Sequence, residues 1–220
     1  MKTYIIAGFT GSGKSEFAVN LALHLRKTPG ERITIADLDV LNPYFRSREK
    51  AEELHRSGID VFGGSLGNNN GQDVPHIDYG FLSRISAGER VIVDLAGGVM
   101  GLHTLPNVYD RLRDYEFLAV LNLYRPETNT ADKMLNFIGE LHSASRIRIT
   151  GCVHNSHMLS HTTLELVLDA QDAVADVCAR LDVPLRYTLL DRKIYEQVSG
   201  QLVSDEALVF DRLQLREAWQ

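Results

Sequence analysis

Short apolar runs alternate along the chain with longer segments in which apolar residues recur every three or four positions. The runs are rich in β-branched residues, which is typical of buried strands, whereas the longer spacing predicts amphipathic helices. The predicted strands are Tyr4–Ala7, Arg32–Ala36, Ile59–Phe62, Arg90–Asp94, Phe117–Leu123, Ile147–Val153 and Leu185–Leu190. The predicted helices are Glu16–Lys27, Phe45–Ser57, Tyr79–Ala87, Thr130–Ser143, Thr162–Leu181 and Ile194–Val198.

This regular alternation of strand and helix predicts the fold class. Successive strand–helix–strand units form parallel sheets through right-handed crossovers, with helices on both faces. We therefore expect an α/β three-layer sandwich with a mostly parallel sheet of about seven strands. No linker, repeat or low-complexity segment interrupts the pattern, so residues 1–220 are expected to form a single domain. In such a sheet, ligands bind at the carboxyl ends of the strands.

Two stretches depart from the alternation. Gly67–Gly71 holds three asparagines between glycines, which predicts a turn-rich loop that is either a plain connector or a mobile functional loop. The segment Ala207–Trp219 mixes apolar and charged residues. Its polar positions lack the basic bias of a membrane-surface helix, so we expect it to dock on the core.

Charge and cysteine content limit the environment and the partners. The net charge is −6 and the isoelectric point is about 5.7, so nucleic acid and anionic membranes are not expected partners. Cys152 and Cys178 have no metal or redox spacing, which is typical of free thiols in a reducing compartment. Since the chain also shows no leader pattern and no apolar run of about 18 residues, we expect a cytoplasmic protein.

The strongest chemical signal comes directly after the first strand, where the sequence reads GFTGSGKS. Gly8, Gly13, Lys14 and Ser15 fill the pattern G-x-x-x-x-G-K-[ST], in which glycines let backbone N–H groups turn inward around a phosphate. We expect Lys14 to act in catalysis by reaching the β- and γ-phosphates, and the Ser15 hydroxyl to bind Mg²⁺. The predicted nucleotide-binding residues of this loop are Gly8, Thr10, Gly11, Ser12, Gly13, Lys14, Ser15 and Glu16.

Acidic residues end two other predicted strands. Asp94 follows an apolar strand and precedes Gly97 and Gly98, a position from which an aspartate can bind Mg²⁺ directly or through water. Asp37 and Asp39 end another strand, and their spacing points both side chains to one side of an extended chain. One of the two could hold a magnesium-bound water, while the other orients the attacking water or accepts a substrate proton.

These three motifs resemble those of the MinD/ParA/CobB-like branch of the SIMIBI class of P-loop NTPases. The resemblance covers most of the chain as a domain and is specific in the P-loop, the D-x-D after the second strand and D-L-A-G-G after the later one. It implies that Asp39 orients the attacking water, that Asp37 supports the magnesium site, and that Asp94 is the Walker B aspartate. The predicted cofactors are Mg²⁺ and ATP.

The chain departs from this resemblance at Phe9. MinD- and ParA-like ATPases carry at that position a second lysine, which reaches the phosphates of the partner subunit. An apolar ring cannot stabilise phosphoryl charge there, so a nucleotide-dependent homodimer would lack this charge. The P-loop is more similar to those of the metallochaperone GTPases and the dethiobiotin-synthetase-like enzymes.

The residues at the ends of the later strands indicate whether the nucleotide carries adenine or guanine. The guanine-reading pattern N/T-K-x-D is absent from the sequence, which favours ATP over GTP. Asn122 and Asn155 end strands, and a carboxamide offers both the donor and the acceptor that the adenine edge needs. The resemblance favours Asn155, although either asparagine could instead cap a turn.

Three functions fit these features. The first is a Mg·ATP-dependent switch with slow hydrolysis that acts on a protein partner. The alternative is an ATP-dependent kinase or ligase that seats a small acidic substrate on Arg46, Arg48 or Arg125. The third is a nucleotide-sensing subunit with negligible turnover.

Overall fold

The computed structural model describes residues 1–26, 32–39, 50–63, 77–198 and 200–215. Its strands are β1 Thr3–Gly8, β2 Ile33–Asp37, β3 Ile59–Gly63, β4 Arg90–Asp94, β5 Tyr115–Leu121, β6 Gly151–His154, β7 Leu185–Asp191 and β8 Glu206–Phe210. Its helices are α1 Lys14–Leu25, α2 Ala51–Arg56, α3 Phe81–Ser86, α4 Pro106–Tyr109, α5 Ala131–Ala144, α6 Leu164–Leu181 and α7 Arg192–Val198.

The described strands form one eight-stranded sheet in the order β3-β2-β4-β1-β5-β6-β7-β8, and each neighbouring pair is parallel. This confirms the predicted α/β class with a parallel sheet. The sequence predicted about seven strands; the additional one is β8, at the edge. Its short apolar run is preceded by Asp205 and Glu206 and followed by Asp211. Because of these flanking charges, the sequence pattern did not predict a strand in the segment that was expected to dock on the core.

Apolar side chains cover both faces of the sheet. On one face, Phe17 and Leu21 of α1 and Leu54 of α2 pack against buried strand residues. On the other, Phe81 of α3 and Phe137 of α5 pack with side chains of α6 in a second cluster. The two clusters give the three layers that the alternation predicted, and they bury β1, β4 and β5 from both sides.

One predicted strand begins later than expected. The prediction placed it at Ile147–Val153, but β6 starts only at Gly151. Before that point, side chains bind the backbone donors: the Ile147 N–H donates to Ser145 Oγ, and the Ile149 N–H donates to His142 Nε2. Such local hydrogen bonds compete with the ladder bonds of a sheet, so this apolar stretch is irregular.

The other bounds differ mainly at the ends of elements. Helices α5 and α6 begin where Thr130 and Thr163 accept N–H groups of the first turn. Because Thr163 is the cap, α6 starts at Leu164, slightly later than the predicted Thr162. The predicted helix Phe45–Ser57 is described only as α2, and the predicted loop Gly67–Gly71 lies outside the described residues. Within the described ranges, no helix has the length and apolar character needed to cross a membrane.

The strand order determines where the candidate residues meet. Strand β4 lies between β1 and β2, so the carboxyl ends of all three are neighbours. In the register of the sheet, Asp37 pairs with Asp94 and Ile6 also pairs with Asp94. The P-loop and the two acidic strand ends therefore lie at the same edge of the sheet.

Candidate functional site

The loop between β1 and α1 has the conformation that its glycines predict. Gly11 and Gly13 have φ angles of 79° and 86°, a region that other residues rarely adopt. A Cβ at Gly8 would lie 2.5 Å from Ser12 Oγ, and one at Gly13 would collide with the amide nitrogen of Asn155. The loop can therefore close tightly only with glycine at these positions.

Internal and neighbouring groups hold this loop. The Ser12 N–H donates to the Phe9 carbonyl over 3.1 Å, and Lys14 Nζ donates to the same oxygen over 3.1 Å. Arg125 Nε donates to the Gly11 carbonyl over 2.8 Å. Because Lys14 contacts a neutral carbonyl, its ammonium can exchange that contact for a phosphate oxygen.

The Lys14 ammonium is buried, with 6% of the residue exposed. Burial lowers its pKa, although the carboxylates of Asp94 and Asp39 oppose the shift. A buried cation with nearby acids favours an anion that restores its solvation, which is what the β- and γ-phosphates would supply.

Asp94 is fully buried at the carboxyl end of β4. Burial and the neighbouring Asp37 carboxylate raise the pKa of Asp94 to about 7, while Lys14 and the Ser15 hydroxyl limit the rise. Ser15 is thus close by, yet neither Asp94 oxygen meets the geometry of a hydrogen bond to the described part of the chain. A buried carboxylate without such a bond is costly unless a cation neutralises it.

The donor set at this point fits magnesium. Ser15 offers a hydroxyl, and Asp94 and Asp37 offer carboxylate oxygens, which are the hard ligands that Mg²⁺ prefers. Asp37 is buried, and its Oδ1 accepts the N–H of Asp39 over 3.1 Å. The structure brings Ser15, Asp37 and Asp94 together, and the metal they would hold stays a prediction.

Asp39 lies at the rim of the same space. Its side chain is half-buried and close enough to Lys14 to oppose the lowering of the pKa of that ammonium by burial. The bond from its N–H to Asp37 fixes the turn after β2. Asp39 is therefore placed near the phosphate side of the loop, where the predicted role of orienting water could be carried out.

The glycines after β4 pack directly on the P-loop. The Gly98 N–H donates to the Gly8 carbonyl over 3.0 Å, and a Cβ at Gly97 would collide with Thr10. Upstream, the Leu38 N–H donates to the Asp94 carbonyl over 2.9 Å. The segments after Asp37 and Asp94 are thus joined to one another and to the loop by backbone hydrogen bonds.

Asn155 contacts the P-loop. Its side chain is buried, and Nδ2 donates to the Ser12 carbonyl over 2.8 Å. Asn122, the other candidate, is fully buried, and its Oδ1 accepts the N–H of Tyr124. One amide hydrogen of Asn155 is therefore engaged in bracing the loop, and its predicted contact with the base stays a prediction.

A cavity of about 350 Å³ opens beside the first turn of α1. Gly13, Glu16 and Asn155 line it on one side, and the other lining residues come from the segment after β6, from the start of α6, and from the ends of β7 and β8 with the start of α7. The outer residues include Asp191, Ile194, Phe210, Asp211 and Leu213. The sequence analysis did not assign these residues to the site, because no motif marks them and their placement depends on the sheet order.

Phe9, at the position of the second lysine in the resembling ATPases, packs into the protein. Its ring lies 4.4 Å from that of Phe137, measured between centroids. The side chain therefore belongs to the α5 side of the core. Arg46 and Arg48, the other predicted anion-binding residues, lie outside the described residues.

Comparison with known proteins identifies the fold. No protein-family model matches the chain, and no curated protein matches it in sequence. Among solved structures, the cell division protein FtsY of Thermotoga maritima is 20% identical, with a TM-score of 0.58 over 87% of this chain and 62% of that one. The signal recognition particle receptor FtsY of Elizabethkingia anophelis, solved in complex with GDP, is 15% identical, with a TM-score of 0.57 over 88% and 58%.

This chain therefore spans about three fifths of the length of the FtsY chains it matches. At these identities the likeness establishes architecture. The fold is that of these FtsY structures, an α/β architecture with a parallel sheet, and it agrees with the fold that the resemblance in the three motifs implied.

Proposed function

We propose that this chain binds a magnesium–nucleoside triphosphate at the P-loop and hydrolyses it slowly, as a switch that acts on a protein partner. The supporting observation is the buried pair of Lys14 and Asp94, an ammonium on a neutral carbonyl and a carboxylate without a hydrogen bond in the described chain. A triphosphate would satisfy the first and Mg²⁺ the second.

The switching part of the proposal depends on the segments after Asp37 and Asp94. The segment after Asp94 connects to the P-loop through the Gly98 N–H, which donates to the Gly8 carbonyl, and the segment after Asp37 connects to the end of β4 through the Leu38 N–H, which donates to the Asp94 carbonyl. A γ-phosphate beside these groups would hold both segments, and its loss would release them. The surface that they present would then differ between the two nucleotide states, which is how a protein partner would sense the nucleotide.

The identity of the base is the finer part of the proposal. ATP is proposed because the sequence lacks the N/T-K-x-D pattern and because Asn155 borders the cavity. The GDP in the Elizabethkingia FtsY structure makes GTP the competing nucleotide. Within the protein, Lys14 would stabilise the phosphoryl charge, Asp39 would orient the attacking water, and Ser15, Asp37 and Asp94 would hold the magnesium.

The test is a calorimetric titration of Mg·ATP and Mg·GTP into the wild type, Lys14→Ala and Lys133→Ala. Lys133 is an exposed lysine at the start of α5, so its loss controls for a change of charge. We expect binding to the wild type and to Lys133→Ala, and a loss of at least about 100-fold in Lys14→Ala. Equal binding by all three proteins would contradict the proposal.

Arg125 supports a second candidate, a kinase or ligase that acts on a small acidic substrate. Its Nε is fixed on the Gly11 carbonyl, while its two terminal nitrogens have no hydrogen bond to the residues that the structure describes. A guanidinium held in this way can bind a carboxylate bidentately beside the phosphates. Release of phosphate or ADP that depends on one dicarboxylate, and that Arg125→Lys suppresses, would favour this function over the switch.

A further inference from the structure

Glu16, the residue after the magnesium-binding serine of the motif, binds the end of the described chain. Its Oε1 accepts the N–H of Gln214 over 2.7 Å, and its Oε2 accepts the N–H of Leu215 over 2.9 Å. Asn20 Nδ2, one turn along α1, donates to Oε1 over 2.8 Å. The carboxylate is buried, with 9% of the residue exposed. Residues 211–215, here called the C-terminal segment, are therefore fastened to the first turn of α1.

The C-terminal segment is also a wall of the cavity. Asp211 and Leu213 line it together with Phe210 at the end of β8, and Glu16 itself lines it next to Gly13. The opposite side is formed by Asn155 and the residues directly after it. One carboxylate at the start of α1 thus contacts the cavity and holds the wall that closes it.

Other contacts hold the same segment less firmly. Arg192 pairs with Asp211, and Arg212 Nη2 lies 3.2 Å from Glu53 Oε1 on α2. The side chains of both pairs are substantially exposed, and exposed ion pairs contribute little to stability. The two partly buried bonds from the backbone N–H groups of Gln214 and Leu215 to the Glu16 carboxylate are charge-assisted and therefore stronger. Leu215 also packs against the apolar cluster on the α1 face of the sheet, and among the polar contacts named here those with Glu16 are the least exposed.

We propose that Glu16 is a positioning residue that fixes the C-terminal segment as the outer wall of the nucleoside part of the site. The inference rests on the proposed function. The phosphates would lie against the loop from Gly8 to Ser15, so the cavity beyond Gly13 is left for the ribose and the base. The affinity for the nucleoside part then depends on the C-terminal segment, whose Gln214 and Leu215 lie 198 and 199 residues from Glu16 in the sequence.

The experiment compares two ligands, a nucleoside triphosphate and inorganic tripolyphosphate, both with Mg²⁺. Tripolyphosphate can occupy the P-loop but has no base or ribose. We expect Glu16→Gln to weaken the binding of the nucleoside triphosphate about tenfold and to leave that of tripolyphosphate unchanged, because an amide cannot accept both N–H groups as the carboxylate does. Glu53→Gln, which weakens the partly exposed pairs of Glu53 with Arg212 and Lys50 and leaves Glu16 intact, should change either affinity by less than about twofold.

Gln214→Pro provides a second variant that leaves α1 intact. It removes one N–H donor to Glu16 from the other side of the contact and should show the same selective loss. Equal weakening of both ligands by Glu16→Gln would place Glu16 in the phosphate site and overturn the inference, as would no weakening in either variant. A wild-type protein that binds neither ligand would instead contradict the proposed function itself.

Discussion

Asp37 and Asp94 are register partners on neighbouring parallel strands, and both carboxylates are buried at the edge of the sheet where the P-loop begins. The two acids are unfavourable to one another, because the Asp37 carboxylate adds to the effect of burial in raising the pKa of Asp94. Folding keeps them together because their strands are held by the apolar clusters on both faces. A divalent cation between them and the triphosphate would convert this repulsion into binding energy.

Asp94→Asn is expected to separate stability from function. Replacing the buried carboxylate with a neutral amide removes an unfavourable charge, so the free energy of unfolding without nucleotide should rise by about 1–3 kcal/mol. The magnesium-dependent part of nucleotide binding should disappear, because an amide binds Mg²⁺ poorly. Thermal unfolding, together with titrations in the presence and absence of Mg²⁺, checks both results.

The packing of Gly97 on Thr10 gives a prediction about the loop. Gly97→Ala should weaken nucleotide binding by at least about tenfold, because the new methyl group would collide with Thr10 and displace the P-loop. Gly139→Ala is the matched control. Gly139 lies within α5, with open space around its missing Cβ, so that variant should gain about 0.5–1 kcal/mol of stability and bind nucleotide normally. Normal binding by Gly97→Ala would show that this contact does not position the loop.

His154 predicts a loss of stability in acid. Its imidazole is buried at the end of β6, Nε2 donates to the Val167 carbonyl, and burial lowers its pKa from 6.5 to about 4. Above pH 6.5 the ring is neutral in both states and has no effect. As the pH falls from 6.5 to 4, only the unfolded chain takes up this proton, so the free energy of unfolding falls by up to about 3 kcal/mol.

The check is urea unfolding of the wild type and His154→Asn at several pH values across this range. The difference in free energy between the two proteins should shrink or reverse as the pH falls. His161→Asn, which changes an exposed histidine, should behave like the wild type. A constant difference between wild type and His154→Asn would mean that His154 does not titrate abnormally.

The sequence predicted that the P-loop follows β1 and that Asp37 and Asp94 end strands, and the structure has them there. These positions could be predicted because each depends on a short stretch of neighbouring residues. Gly8 to Ser15 could be read from a spacing that a phosphate nest demands, and the convergence of Asp37 with Asp94 followed from the parallel sheet. The order of the strands could not be predicted from the sequence. The structure shows that β4 lies next to both β1 and β2, and that β8 lies at the edge beside β7.

The part of the site that the sequence did not predict depends on distant contacts. Glu16 was expected to contact the nucleotide as part of the P-loop, and the structure places its carboxylate on the N–H groups of Gln214 and Leu215. Backbone donors carry no side-chain signature, so no residue pattern marks this contact. Asn155 was likewise identified as a candidate for the base, whereas its bond to Ser12 becomes visible only when β6 is placed near the P-loop.

The most direct measurement is a crystal structure with Mg²⁺ and a non-hydrolysable nucleoside triphosphate. We expect Lys14 Nζ to leave the Phe9 carbonyl for a phosphate oxygen, and Mg²⁺ to lie about 2.1 Å from Ser15 Oγ, with Asp94 and Asp37 bound directly or through water. A triphosphate bound elsewhere, or a Lys14 that stays on the Phe9 carbonyl with no metal near Asp94, would contradict the account.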